Sequence, residues 1–305
     1  MIKVVSVLQR KPGLDVEDFQ RYWLTNHAAI VSRLPGLRRY VQSHTLLSGY
    51  RRAQPAADGL AELWFDDSNA LRALKDSPEL KAVLADEPNF VDMMRFIQVH
   101  TEEHVIKDGP IPAGGVKNIE FVKKKAAMPV ADFQRHWIVT HGPLGASIKT
   151  VTRYVQSHTR STAYGRGADP ALDGFALTWF ENTDAMRESA RTEEYANTRD
   201  DEENFLTIPL DFIITREHVI VAEAWNYRRG KFICSTLDRA SRTLMNFPLR
   251  WQACVASSAE RDDVFGEVFS YLANMFQGRQ QADFPQTVLF RGADLFGDFA
   301  WPTGD

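Results

Sequence analysis

The 305-residue chain lacks the features that mark several common protein classes. Its only cysteines, Cys234 and Cys254, are too few for a disulfide framework or a cysteine-based metal site. No apolar run approaches the ~18 residues of a membrane-spanning helix, and the first residues are too short and too strand-like for a signal peptide. A formal net charge of -4 argues against nucleic acid as a partner. These absences predict a cytoplasmic protein without a membrane or nucleic-acid partner.

Motifs for cofactors and nucleophiles are also missing. Gly165-Arg166-Gly167 lacks the strand–turn–helix context that a phosphate-binding loop requires. No group of histidine, cysteine or acidic residues has the spacing of metal ligands, and no serine or cysteine stands beside a base. The sequence therefore predicts a protein that works without a metal or another cofactor.

What the chain does contain is an internal repeat. The segment Arg-Tyr-Val-Gln-Ser-His-Thr occurs at 39–45 and again, unchanged, at 153–159. The same shift relates Trp23 to Trp137, and it is too long for a solenoid unit but suits a small domain. We therefore predict two copies of one domain followed by a further segment, with bounds at 1–107 for the first repeat, 108–116 for the linker, 117–221 for the second repeat and 222–305 for the C-terminal segment.

Each copy has the pattern of strand, helix, two strands, helix and strand. In the first copy a β-branched run and two period-2 segments predict strands, and acidic residues followed by an apolar stripe predict a helix that begins at Asp15. The predicted strands are 3–9, 37–45, 59–66 and 94–105, and the second predicted helix is 68–85. This βαββαβ order is the α+β, ferredoxin-like arrangement, in which both helices cover one face of the sheet.

The other face of each sheet needs a partner. Leu60 and Trp64 share one strand face in the first copy, and Phe175 and Trp179 do so in the second. An exposed apolar sheet face is unstable in water, and here a matching face is attached covalently. We therefore expect the two sheets to pack face to face as an α+β barrel within one chain.

The C-terminal segment 222–305 has two interpretations. Lys231, Phe247 and Trp251 match Lys117, Phe133 and Trp137 at the repeat shift, which favours a degenerate, truncated third copy. An unrelated helical tail would produce the same matches by chance. If the third copy is real, its open sheet face would pair with that of another chain and form a homodimer.

Several of these residues together resemble the EthD family of the dimeric α+β barrel superfamily. The resemblance rests on Arg10-Lys11-Pro12-Gly13, Trp23, His27, Leu34-Pro35-Gly36 and Arg39-Tyr40-Val41-Gln42, and it covers both copies. It implies the barrel fold and a small-molecule function. It does not imply one reaction, because relatives look like dehydratases, decarboxylases, isomerases, monooxygenases, haem proteins or accessory proteins of ether degradation.

His27 and His141 are the predicted catalytic residues. Each lies four residues beyond a tryptophan of the apolar stripe, so the helix turns it inward near its C-terminal end. A helix C-terminus stabilises imidazolium, whereas burial disfavours it, and a histidine under both influences can exchange protons near neutral pH. We also expect the second helix copy to break or kink at Gly142-Pro143. The alternative is a buried histidine that only anchors the helix end; the resemblance favours the catalytic role.

Further residues are predicted to contact the substrate. The second strand of each copy projects a tyrosine, a glutamine and a histidine from one face, and we expect this face to line a pocket inside the barrel. The alternative is a solvent-exposed outer face. The long loop that follows adds an aromatic and a guanidinium group in each copy, as a lid or as a surface loop. The predicted contacts are Tyr40, Gln42, His44, Tyr154, Gln156, His158, Trp23, Trp137, Tyr50, Tyr164, Arg52 and Arg166.

The sequence therefore predicts a cofactor-independent enzyme acting on a small, aromatic or polyketide-like compound. The reaction would be proton transfer that leads to elimination, decarboxylation or isomerisation, so the enzyme would be a lyase or an isomerase. Two alternatives remain open. One is a non-catalytic binding or accessory protein that shelters a hydrophobic intermediate. The other, implied by the resemblance, is a haem-binding barrel in which His27 or His141 ligates iron.

Overall fold

β-branched and aromatic residues in both repeats form eight antiparallel strands, as their period-2 spacing predicts. The computed structural model describes residues 1–165 and 169–222, and beyond them only the backbone of two paired strands, Thr287–Val288 and Phe299–Ala300. The strands of the first half are β1 (Ile2–Leu8), β2 (Leu37–Thr45), β3 (Gly59–Phe65) and β4 (Ile97–Lys107). Those of the second half are β5 (Val116–Val122), β6 (Arg153–Thr159), β7 (Gly174–Phe180) and β8 (Asp211–Val221).

These eight strands form one closed barrel. Their order around it is β1-β3-β2-β8-β5-β7-β6-β4, and every neighbouring pair is antiparallel. The two halves join edge to edge, because β2 pairs with β8 and β4 pairs with β6. The predicted α+β barrel within one chain is confirmed, and closure leaves neither sheet edge unpaired.

The helices cover the outer face of the barrel. In the first half they are α1 (Val16–Tyr22), α2 (Ala28–Val31), α3 (Ser68–Leu74) and α4 (Pro78–Phe90); in the second half they are α5 (Val130–His136), α6 (Gly142–Ser147), α7 (Thr183–Ser189) and α8 (Glu193–Phe205). The single helix predicted at 68–85 is wrong, since α3 and α4 are separate. Pro78 disfavours helical geometry in Ser77, whose hydroxyl accepts a hydrogen bond from the Leu80 N–H and begins α4.

The barrel interior contains apolar and charged side chains. Val5, Leu60, Phe175 and Ile213 belong to its apolar cluster. Beside them lies a group that we name the barrel charge cluster, which consists of Lys3, Glu62, Glu103, Lys117 and Glu217. Because its members come from both halves, the cluster links the two repeats electrostatically.

One glycine, Gly59 or Gly174, opens the third strand of each repeat at a crowded point. A Cβ at Gly59 would lie 2.7 Å from the Ser43 carbonyl oxygen and 2.8 Å from Cη2 of Trp23. A Cβ at Gly174 would lie 2.7 Å from Cζ3 of Trp137. Only a residue without a side chain lets the indole pack against the strand.

We therefore expect Gly59→Ala and Gly174→Ala each to lower the free energy of unfolding by about 1–3 kcal/mol, the usual effect of overpacking a core. Urea denaturation measures this loss. Gly13→Ala is the control for crowding: Gly13 has a φ of +84° and no atom within 4 Å of the added Cβ, so its cost comes from backbone strain alone. Unchanged stability at positions 59 and 174 would show that the indoles can move aside.

Some predictions fall outside the described residues. These are the third copy at 222–305, its matched residues and the homodimer that would form through it; they stay predictions. Residues 1–222 form one compact unit, in which both repeats share the barrel. No helix within the described ranges is both long and apolar enough to span a bilayer.

Candidate functional site in the second half

A π-helical turn interrupts the first helix of each repeat. It covers Trp23–His27 in the first half and Trp137–His141 in the second. Turns of this kind are rare and often lie at functional sites. In the second half the Trp137 carbonyl accepts hydrogen bonds from the Gly142 N–H and, at 2.8 Å, from Nε2 of Gln156. The strand below therefore holds the widened turn in place.

This geometry corrects the predicted helix end. His141 does not lie at a helix C-terminus, because α6 continues from Gly142 to Ser147. Pro143 lies in the first turn of α6, directly after the π turn. The helix is therefore widened at this point rather than broken.

Each predicted catalytic histidine is buried and paired with an aspartate. Nδ1 of His27 lies 2.8 Å from a carboxylate oxygen of Asp86, and Nδ1 of His141 lies 3.1 Å from one of Asp201. Burial lowers the pKa of both imidazoles, and the aspartates only partly offset it. Both rings are therefore neutral at pH 7, with Nδ1–H donated to the aspartate. A neutral ring held in this way offers Nε2 as a base.

The predicted placement of the second-strand residues is wrong. Tyr40, Gln42 and His44 share one face as predicted, but that face lies under the helices and not inside the barrel. Tyr154, Gln156 and His158 repeat the arrangement. The intervening Val155 belongs instead to the interior cluster. Both faces of the strand are buried, so apolar character could not distinguish them.

The strand residues of the second half form a directed hydrogen-bond chain. The amide Nε2 of Gln156 donates to the Trp137 carbonyl and to the Tyr154 hydroxyl, so its Oε1 accepts from Nε2 of His158. The Tyr154 hydroxyl also accepts from the Trp137 indole at 3.3 Å. With two hydrogen bonds accepted, its own proton is the one left to donate. Burial raises the pKa of Tyr154, which keeps that proton in place.

A cavity of about 60 Å³ lies between the helices and the sheet of the second half. His141 and Tyr154 both line it, together with one carboxylate from the strand β5 and one from α8. Its full lining is Asn118, Glu120, His141, Gly145, Ile148, Val151, Tyr154, Ala176, Thr178, Phe180, Ser189, Tyr195, Thr198, Arg199 and Glu202.

Aliphatic residues occupy all but one of the corresponding positions of the first half, and the exception is Ser6. Where the second half has Asn118, Glu120, Gly145, Thr178, Ser189, Tyr195, Thr198 and Arg199, the first half has Val4, Ser6, Val31, Leu63, Leu74, Leu80, Val83 and Leu84. Most of these first-half side chains pack into the apolar core under the helices. His141, Tyr154 and Glu202 have identical counterparts in the first half. The two halves thus share a framework, and the second alone surrounds it with polar groups.

One arginine of α8 connects the two carboxylates of the cavity. Its guanidinium lies 2.8 Å from Glu202 and 3.2 Å from Glu120. Burial and the neighbouring Glu120 raise the pKa of Glu202 to about 8, against the opposing charge of Arg199. Burial also raises the pKa of Glu120, which Arg199 and Asn118 lower in turn. At neutral pH this group therefore holds a carboxyl proton beside the cavity.

The remaining predicted contact residues lie away from this cavity. The hydroxyls of Tyr50 and Tyr164 donate to the buried Asp58 and Asp173, at 2.7 and 2.6 Å, and so anchor their loops. Arg52 is exposed, and Arg166 is outside the described residues. The indoles of Trp23 and Trp137 are buried against His44 and His158, with ring centroids 4.4 and 4.2 Å apart. Trp137 thus reaches the cavity only through Tyr154.

Sequence reasoning missed Glu120, Arg199, Glu202 and Asp201. Glu202 and Asp201 have identical counterparts, Glu87 and Asp86, whereas Glu120 and Arg199 stand at the positions of Ser6 and Leu84. A charged residue in one copy and an uncharged residue in the other was the available signal for Glu120 and Arg199.

A haem does not fit the cavity. A volume of about 60 Å³ is far below the ~300–1,000 Å³ of sites for drug-sized ligands, and Glu120 and Glu202 would place carboxyl groups against an apolar macrocycle. Within residues 1–165 and 169–222, no three histidine, cysteine or acidic side chains are grouped as metal ligands.

The fold and the duplicated site define a dimeric α+β barrel built from tandem ferredoxin-like repeats. The EthD domain model matches residues 11–94 and 125–208, and the chain belongs to this family. No significant match is found among curated protein sequences.

Solved structures are similar to this chain at low sequence identity. An anthrone oxidase-like protein is 11% identical with a TM-score of 0.52, over 73% of this chain and 96% of that one. An EthD family protein from Bacillus halodurans C-125 is 17% identical with a TM-score of 0.29, over 34% of this chain and 99% of its own. A mutant chlorite dismutase from Candidatus Nitrospira defluvii is 10% identical with a TM-score of 0.41, over 70% and 91%.

Proposed function

We propose that the chain is a cytoplasmic enzyme that acts on a small aromatic or polyketide-like carbonyl compound at the cavity of its second half. The reaction is a proton transfer of the lyase or isomerase type, and it uses no cofactor. The observation that carries this proposal is the polar lining that surrounds a buried, aspartate-paired histidine in one half and is replaced by aliphatic residues in the other. Packing alone does not require such a difference between two copies of one framework.

The side chains of the cavity have complementary roles in this reaction. His141 accepts a proton from carbon, because its neutral ring is oriented by Asp201 through Nδ1. The Tyr154 hydroxyl donates a hydrogen bond to an oxygen of the compound, because its other two hydrogen bonds are accepted ones. Trp137, Gln156 and His158 act through Tyr154 by fixing its hydroxyl, so they are positioning residues.

The cavity also contains an unpartnered polar atom. The side-chain oxygen of Asn118 is buried without a hydrogen bond among the described residues. An unsatisfied buried acceptor is costly, and a hydroxyl group of a bound compound would satisfy it. The volume of about 60 Å³ holds the reacting atoms and their neighbours, while the rest of a larger compound would extend out of the cavity.

A substitution that fills the cavity tests the proposal. Thr178→Leu introduces the residue that the first half has at the same position, and Leu63→Thr is the matched reverse change. We expect Thr178→Leu to lower enzyme-dependent exchange of the methylene protons of 2-indanone for solvent deuterium, followed by NMR, at least ~10-fold, because misplacement by about 1 Å costs more than that. Leu63→Thr should retain the parent rate.

Two other results would contradict the proposal. Equal rates for both variants would place the reaction elsewhere. Binding of 2-indanone by the parent with no exchange above buffer would instead favour the non-catalytic accessory protein.

A further inference from the structure

Two carboxyl groups and one guanidinium group lie together at the second-half cavity. The roles proposed for His141 and Tyr154 do not account for them. Glu120 projects from β5 and Glu202 from α8, and Arg199 lies within hydrogen-bond distance of both. We name Glu120 and Glu202 the carboxyl pair. We infer that the carboxyl pair carries one exchangeable proton and delivers it to an oxygen atom of an uncharged carbonyl compound, an inference that rests on the proposed function of the same cavity.

The charges of the group support a shared proton. Arg199 contributes one positive charge, so two ionised carboxylates beside it would leave an uncompensated negative charge in a largely buried site. The side chain of Glu202 is only 4% exposed and that of Glu120 is 21% exposed. Two carboxyl groups this close to one cation titrate as a unit, and one of them keeps its proton after the other has lost it. With that proton the pair and Arg199 are neutral together, which favours an uncharged ligand.

The first half supplies the comparison. Glu87 corresponds to Glu202, but Ser6 and Leu84 stand at the positions of Glu120 and Arg199. A purely structural ion group would be expected wherever the helix packs on the strand. Instead the group occurs only beside the polar cavity, and both its carboxyl groups line that cavity with His141.

The step balances without an oxidant or a reductant. Nε2 of His141 takes a proton from the carbon beside the carbonyl, and the electron pair of that C–H bond becomes the C=C bond of an enol. The carbonyl π pair moves to oxygen, which takes the proton of Glu202 and leaves a carboxylate held by Arg199. In the reverse step the enol oxygen returns its proton to Glu202, and His141 gives a proton to carbon. Delivery of a solvent-derived proton to the same carbon gives exchange, and delivery to another carbon of a conjugated enol gives isomerisation.

The pH dependence distinguishes this role from a structural one. Glu202 faces Glu120 on β5, Arg199 and Asp201 on α8, Tyr154 on β6 and His141 on the π turn. Since the protonated form is the donor, the rate of 2-indanone exchange should fall as the pH rises through about 8. In Glu120→Gln the repulsion from Glu120 is gone and Arg199 remains, so this fall should move to lower pH. An ion group that only anchors α8 would not move it.

The decisive experiment compares Glu202→Gln with Glu87→Gln, its counterpart in the first half. We expect Glu202→Gln to lower the exchange rate ~10²-fold or more, the usual effect of losing a general acid, and to remove the fall near pH 8. Glu87→Gln should retain both the parent exchange rate and its decrease near pH 8. Exchange by Glu202→Gln at the parent rate, with the parent pH profile, would overturn the inference while leaving the proposed function intact.

An infrared titration of the carboxyl groups gives a readout that needs no substrate. Among the described residues, the parent should lose a carboxyl proton near pH 7 from Glu87 and another near pH 8 from Glu202. Glu87→Gln should remove the lower step and Glu202→Gln the upper one. A Glu202 already ionised at pH 6.5 would overturn the inference even if Glu202→Gln were inactive. A parent that holds the proton but shows no exchange would reject the proposed function and this delivery step together.

Discussion

His141→Ala is expected to lower the rate of 2-indanone exchange ~10²–10⁴-fold, whereas His27→Ala retains the parent rate. The two imidazoles have similar local settings: each is 5% exposed and hydrogen-bonded through Nδ1 to an aspartate, although Asp201 is shared with His136 and Asp86 with Tyr22. They differ in what lies beyond the ring. Only His141 is surrounded by the polar cavity, because aliphatic side chains fill the corresponding space near His27.

The similarity of the two settings makes His27→Ala a close control. Each histidine packs against a phenylalanine, Phe90 or Phe205, with ring centroids 4.8 and 4.9 Å apart, so the two truncations should cost similar stability. Rates are measured by NMR at a temperature where circular dichroism shows both variants folded. Equal losses in the two variants would mean that both rings are structural, and retention in both would place the base elsewhere.

Much of the fold could be predicted because the duplication is visible as identical segments of sequence. The identical segments 39–45 and 153–159 fix the repeat, and the alternation of Leu60 and Trp64 shows that each sheet needs a second covered face. Closure then follows from elementary physics, since an unpaired apolar face attached to its own copy has one obvious partner.

The orientation of the second strand could not be predicted by the same reasoning. Tyr40 is 1% exposed and Val41 is 0% exposed, because one is covered by the helices and the other by the opposite wall of the barrel. Alternation shows which residues share a face, but with both faces buried it cannot show which face is the interior. The π turn was equally hidden, since one extra residue in a helical turn leaves no periodic signal over five residues.

Comparison of the two repeats therefore predicts only part of the candidate site. What the copies share, such as His27 and His141, marks a framework common to both halves, and we propose that it acts chemically only in the second. What they do not share, such as Glu120 against Ser6 and Arg199 against Leu84, marks the chemistry proposed for one half. In a duplicated protein the differences between copies carry the functional information, and they acquire meaning once the topology shows that the differing positions surround one cavity.

The barrel charge cluster shows such a difference inside the barrel, at Glu62, whose counterpart is Leu177. Glu62 lies 2.6 Å from Nζ of Lys3 and also contacts Nζ of Lys117, so it joins a lysine of each half. All three side chains are only 1% exposed. Burial would raise the pKa of Glu62, but the two ammonium groups outweigh it and lower the pKa to about 2. A lowered carboxyl pKa means that ionised Glu62 stabilises the folded state.

Replacing Glu62 with glutamine should therefore lower the free energy of unfolding by about 3 kcal/mol at pH 7, the size expected when one partner of a buried ion pair is removed. The sign of the pH dependence follows from the lowered pKa. The stabilisation is fully present above the unfolded pKa near 4.5 and is lost as the pH falls towards 2, so parent and variant should converge in acid.

Urea denaturation at pH 7, 4 and 3 measures the difference. Asp18→Asn is the control, because its pair with Arg21 is 51% and 69% exposed and should contribute under ~0.5 kcal/mol at any pH. A Glu62→Gln loss that is no larger than this control, or one that does not shrink in acid, would show that Glu62 does not hold the two halves together through its charge.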